Sequence, residues 1–142
     1  MAERVDFRTA EEFNEVSKGM FPDLCDVRIT HLAPGESKGE MTISKKHLNA
    51  GGFMHGAAVI ALVDSVTGGG SRVSCPEGAL GATTIELKCN FMGTATEGTV
   101  YATGRMLHGG RTTQVWDAEV VDDRGRMIAA FRCTQMVLWP RK

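Results

Sequence analysis

Hydrophobic and polar positions follow two rhythms along this chain, and the change of rhythm falls near a run of three glycines, Gly68-Gly69-Gly70. Phe13, Val16 and Met20 recur at helical spacing behind Thr9-Ala10-Glu11-Glu12. That tetrad has capping-box spacing, with Thr9 as the cap and Glu12 reaching back, and predicts a short amphipathic helix stopping near Gly19 to Pro22. Leu24 to Leu32 partly alternates, with Val27 and Ile29 on one face, and reads as a strand. Pro34-Gly35 marks a turn, and Glu36 to Ser44, carrying Met41 and Ile43, reads as its hairpin partner. The apolar run Ala57 to Val63 predicts a helix that starts at His55 and fades at Gly70.

Beyond the glycines the period becomes two. Leu80 to Met92 places Ile85, Leu87, Cys89 and Phe91 on one face, with Thr84, Glu86, Lys88 and Asn90 on the other. Thr99 to Leu107 is a further strand. Arg111 to Val121 follows, with Trp116, Ala118 and Val120 inward, and Asp122-Asp123-Arg124-Gly125 turns the chain into a last strand, Arg126 to Leu138. The order is helix, hairpin, long helix, then four consecutive antiparallel strands. A sheet must cover its apolar face, and the one apolar helix available is that from His55 to Gly70. The expected fold is therefore α+β, an antiparallel β-sheet wrapped around one long central helix, with a short N-terminal helix. Edge strands and the sheet's other face still need covering, so a homo-oligomer is expected.

Composition narrows the class. A chain of 142 residues reads as a single domain, 1–142, with an N-terminal helical segment 1–23 and a core 24–138. It is long enough to bury roughly 70% of its unfolded surface. A net charge of −1 offers no basic field for nucleic acid or an anionic membrane. The four cysteines are scattered without a C-x-x-C pair, as in a chain with reduced thiols. Met1 to Glu15 lacks the apolar core of a signal peptide, and the longest apolar run is too short to span a bilayer. These features point to a cytoplasmic location.

Candidate chemistry gathers in one stretch, Asn49 to Asp64. Its first half, with Gly51 and Gly52, is free to adopt backbone conformations closed to other residues. It leads into a helix start, where unbonded N–H groups and the helix dipole favour negative charge. Asp64 then interrupts the apolar run, and a carboxylate is costly to bury. Each residue also has a plainer reading. The glycines can simply make a turn, Asn49 can cap it, and Asp64 can lie on the helix's polar side beside Ser65 and Thr67. His31, His47 and His108 show no metal-ligand spacing, so no metal is expected.

The ordered set Asn49, Gly52, His55-Gly56 and Asp64 resembles the signature of hotdog-fold acyl-CoA thioesterases of the phenylacetic-acid-degradation type. Downstream, Thr84-Ile85-Glu86-Leu87 through Phe91, Gly110-Arg111-Thr112 and Gly125-Arg126-Met127-Ile128-Ala129 match further motifs of that family. The likeness spans about Leu24 to Val137. It departs at Ala57, where the family has a second glycine, and at Gly93-Thr94, where it often has a proline.

The resemblance implies a hotdog fold and hydrolysis of acyl-CoA to a carboxylic acid and free coenzyme A, which enters only as part of the substrate. It implies Asp64 as base or nucleophile and the Gly56 N–H as oxyanion donor. Asn49 would hold water or carbonyl through its amide. An orienting part falls to His55, since a helix N-terminus disfavours a charged imidazole. Thr84 would place a hydroxyl near Asp64. His108, Gly109, Gly110, Arg111, Thr112 and Thr113 would meet the nucleotide end of coenzyme A, with Arg111 on phosphate. Acid and oxyanion loop would come from different subunits of a dimer or dimer of dimers. Two other readings stay open: a non-catalytic acyl-CoA-binding or regulatory module, and a thioester hydratase, although the proline-bearing loop of the hydratases is missing.

Overall fold

A computed structural model describes residues 6–141, so the first five residues of the stretch read as lacking a signal peptide lie outside the described region. Helix α1 spans Ala10–Val16, and its capping box forms as the sequence predicts: Thr9 accepts from the Glu12 N–H while the Glu12 carboxylate accepts from the Thr9 N–H. The helix does not continue to Met20. A separate short helix, α2 (Phe21–Leu24), begins with Pro22 in its first turn, where proline's fixed φ is suited to a helix start. Met20, Phe21 and Leu24 point to solvent.

Strands β1 (Arg28–Ala33) and β2 (Glu36–Thr42) form the expected hairpin, shorter at both outer ends than the alternation suggested. Val27 and Ile29 are buried, as read. A 3-10 turn at Lys45–His47 and the glycine loop lead into helix α3 (Gly56–Val73). The glycine triplet does not end α3. Its glycines let the helix lie close to the sheet: a Cβ at Gly70 would stand 2.7 Å from both Ser37 Oγ and a Trp116 ring carbon, whereas one at Gly68 would meet nothing.

Strands β3 (Gly81–Phe91), β4 (Thr99–Gly109), β5 (Thr113–Val121) and β6 (Met127–Leu138) complete one six-stranded antiparallel sheet, ordered β1-β2-β4-β5-β6-β3. Trp116, Ala118 and Val120 are buried under α3 as expected. Of the four late strands, β4, β5 and β6 are neighbours in sequence order, but β3 pairs with β6 and stands at the sheet's edge. The register of β3 against β6 also shifts between Thr84 and Glu86. A bulge of this kind resets the alternation, so Thr84 falls on the helix side with Leu87, Cys89 and Phe91 instead of opposite them. The apolar residues of β3 are only partly covered, Ile85 being 54%, Leu87 37% and Phe91 50% exposed, because no strand among the described residues lies beyond this edge. Among the described residues no helix is long and apolar enough to cross a membrane.

Candidate active site

The Asn49–Gly56 loop is held by its own polar groups. Asn49 Oδ1 accepts from the N–H groups of Gly51 (2.8 Å) and Phe53 (3.3 Å), while the Asn49 N–H bonds the Phe53 carbonyl. Gly52 has φ +81°, a conformation that favours glycine. His55 caps α3, its Nδ1 accepting from the Ala57 N–H at 2.9 Å, which leaves the ring proton on Nε2. The His55 N–H bonds the His47 carbonyl, and the Met54 N–H bonds that of Ala95. Ala58 and Val59 bond back to the His55 carbonyl. The Gly56 N–H alone in this first turn has no partner among the described residues.

Gly56 lines a cavity of about 380 Å³ together with Asn49, Phe53, Val59, Phe91 and Ile128. The walls are apolar, and the Phe91 ring lies so close over Gly56 that a Cβ there would sit 3.1 Å from it. Asn49 therefore shares a cavity with Gly56. His55 does not: its side lines a separate cleft with Phe21, Leu24 and His47.

Asp64 lies two turns further along α3, about 12 Å down the axis. It opens into a second cavity, of about 690 Å³. The Thr84 hydroxyl donates to Asp64 Oδ1 at 3.0 Å and accepts from Gln135 Nε2 at 2.8 Å. Gln135, 1% exposed, is a site residue that the sequence reading passed over. The signal was there: an amide at an inward position between Cys133 and Val137 of an apolar strand. Within one chain, then, Gly56 and Asp64 line different cavities.

The His108–Thr113 segment is more regular than a flexible turn. His108 and Gly109 end β4, Thr113 begins β5, and residues 110–112 alone make the connection. The Gly110 N–H is already used, donating to the Thr113 carbonyl at 2.8 Å. The Arg111 guanidinium stacks 4.4 Å from the Trp139 ring centroid, and the Trp139 indole N–H donates to the Arg111 carbonyl. Neither Arg111 nor Trp139 lines the Asp64 cavity. No group of side chains able to hold a metal occurs among the described residues.

A carboxylate fixed on a central helix, an unbonded N–H at that helix's start and a sheet wrapped around it define a hotdog-fold enzyme scaffold. Residues 51–129 match the thioesterase superfamily, and the chain belongs to that family. It is 28% identical over 130 residues to the 1,4-dihydroxy-2-naphthoyl-CoA hydrolase of Escherichia coli, covering 92% of this chain and 95% of that one. Among solved structures it resembles a mutant of thioesterase PA1618 from Pseudomonas aeruginosa, with TM-score 0.85, 24% identity and coverage of 97% and 96% of the two chains. It also resembles smu.793 from Streptococcus mutans, solved bound to acetyl CoA, with TM-score 0.73, 26% identity and coverage of 82% and 91%.

Proposed function

We propose that this chain is an acyl-CoA thioesterase of the phenylacetic-acid-degradation type, working as a homodimer or dimer of dimers whose sites span two subunits. The observation that carries the reading is the separation of the two groups: Thr84 holds Asp64 at one cavity while Gly56, whose N–H is unbonded among the described residues, lines another. Neither half can hydrolyse a thioester alone. Joining two copies at the exposed β3 edge would bring the acid of one to the helix start of the other, and the partly bare Leu87 and Phe91 support that edge as the contact.

In that site the thioester carbonyl oxygen accepts from the Gly56 N–H, aided by the positive end of α3. Asp64 takes the proton of a water whose oxygen bonds the carbonyl carbon. The C–S bond then breaks, and the proton that Asp64 took from the water passes to the departing thiolate, giving the carboxylic acid and free coenzyme A. If Asp64 attacks directly instead, an enzyme-bound anhydride forms first and water opens it. Asn49, its carbonyl occupied in the loop, has its NH2 group to offer the water or the substrate carbonyl. His55 holds the loop through Ala57. Arg111 is the candidate for the phosphates, with its neighbours His108 to Thr113 around it. These groups supply base and oxyanion donor themselves, so coenzyme A enters only with the substrate. The scattered free thiols support a cytoplasmic setting. The acyl-CoA relatives support the substrate class.

The test is thiol release from a panel of aryl- and alkyl-CoA thioesters by the wild type, Asp64→Asn, Gly56→Val and a mixture of the two variants dissociated and reassociated. Each variant alone is expected to lose turnover by roughly a hundredfold or more. The mixture is expected to regain it, because a mixed dimer has one intact site. A dead mixture of well-folded mixed dimers would remove the split site. A wild type that binds acyl-CoA without turning over any thioester would make the protein a binding module instead.

A further inference from the structure

The cavity beside Asp64 continues along α3 well past the acid. Gly68, one turn on, forms a bare stretch of its floor, where a Cβ would touch nothing. Arg72, another turn on and about 12 Å from Asp64 along the axis, stands at the far end, joined by Arg8 from the segment before α1. Phe7 and Leu138 add apolar surface to its walls, and Ala82 and Thr83 lie in β3 between Thr84, which bonds Asp64, and Gly81, which adjoins Arg72. Its two ends thus carry opposite charge, with an uncharged trough between them.

The far end already shows which chemistry fits there. The Asp6 carboxylate lies between the two guanidiniums, Oδ1 at 2.6 Å from Arg72 Nη2 and Oδ2 at 3.5 Å from Arg8 Nη2. Two cations share one anion, so the end keeps a surplus of positive charge. Arg72 is mostly buried, its side chain 21% exposed, whereas that of Asp6 is 55% exposed and belongs to a segment outside any helix or strand. Asp6 is thus the more open and less anchored member of the pair, so a second carboxylate can take its place on the two guanidiniums.

We propose that this trough holds the acyl group, and that Arg72, with Arg8, selects thioesters whose medium-length acyl chain ends in a carboxylate. The inference rests on the thioesterase reading for its substrate, but Arg72 and Gly68 take no part in the chemical step assigned to Asp64 and Gly56. A guanidinium fixed opposite a carboxylate rewards the charged chain and leaves an uncharged chain of equal length with a desolvated cation at its tip.

The experiment compares six-, eight- and ten-carbon dicarboxylic half-thioesters of coenzyme A with the corresponding plain acyl-CoA compounds, reading the ratio of kcat/KM at each length. Wild type is expected to prefer a carboxylated chain by roughly tenfold to a hundredfold. Arg72→Met is expected to collapse that ratio, chiefly through KM, and Asp6→Asn to raise it by removing the competing carboxylate. Binding of the non-hydrolysable ω-carboxyalkyl and alkyl thioethers of coenzyme A, measured by calorimetry on the same three folded proteins, separates this inference from the reaction itself. Selective binding lost with Arg72, in a protein that hydrolyses nothing, would overturn the thioesterase reading and leave the trough assigned. A ratio near one in wild type, or one unchanged by both substitutions, would overturn the proposal while leaving hydrolysis standing. So would an equal loss for both substrate series in Arg72→Met, since that is the behaviour of a guanidinium that meets coenzyme A itself.

Discussion

Thr84 is the residue through which Asp64 is held, since its hydroxyl donates to the carboxylate and accepts from the buried Gln135. Thr84→Val keeps the shape and removes both bonds. The Gln135 amide then retains only a long contact to Cys133 Sγ at 3.4 Å. We expect a stability loss of about 1–3 kcal/mol, the usual result of leaving a buried donor short of an acceptor, read by urea denaturation. We also expect kcat to fall with KM little changed, because Asp64 keeps its place on the helix and loses its aim. A KM effect alone would mean that Thr84 touches substrate and does not orient the acid. At this scale the sequence was legible where chemistry is local. Asn49, His55 and Gly56 lie in one loop whose bonds join near neighbours, so their spacing carries their geometry. Gln135 meets Thr84 only through the pairing of β3 with β6, which no local pattern records.

At the scale of elements, α3 and the β5–β6 turn each permit a sharp test. Gly68 and Gly70 have the same residue type in the same helix and opposite surroundings. Gly68→Ala is expected to stabilise the protein by up to about 1 kcal/mol, the helix-propensity gain of alanine over glycine. Gly70→Ala must push aside Ser37 and Trp116 and is expected to lower stability by about 1–3 kcal/mol, with both changes read as Tm shifts. Similar shifts in the two would mean that helix propensity, not close approach, explains the triplet. This is why glycine-rich sequence was a poor guide to the end of α3. A breaker and a close-packing residue look alike until the partner is known. The bulge in β3 was equally hidden, because an inserted residue in an alternating strand leaves the alternation intact on paper.

In the β5–β6 turn, burial pushes the Asp122 carboxyl up, but the Arg126 and Arg124 N–H groups and the Arg126 guanidinium together hold it below the ordinary carboxylate range. A carboxyl whose pKa is lower folded than unfolded gives stability above its unfolded value of about 3.9 and loses it as pH falls through the folded one. Asp122→Asn should therefore lower Tm at neutral pH and flatten the acid limb of Tm against pH below about 4. An acid limb of unchanged slope would show that the charge on Asp122 adds nothing to the turn.

Across the whole molecule the feature that the alternation could not disclose is the place of β3. Its alternation predicted one apolar face, but β3 stands at the sheet's edge, paired among the described residues with β6 on one side only, and that face is left half bare within one chain. An edge with bare apolar residues attracts another edge, and proteins that stay monomeric blunt such edges with charge. Placing lysine at Leu87 supplies that charge at a position 37% exposed in the single chain. The Leu87→Lys variant is expected to sediment as a monomer and to keep its far-ultraviolet circular dichroism. It should also lose thiol release together with the dimer, since Asp64 and Gly56 would no longer meet across two chains. If the wild type is a dimer, the same linkage should make its Tm rise with protein concentration, and the variant's Tm should not depend on it. A folded monomeric variant with full activity would show that one chain suffices for catalysis, and the acid and the oxyanion donor would then have to meet within it by a movement of the Asn49–Gly56 loop.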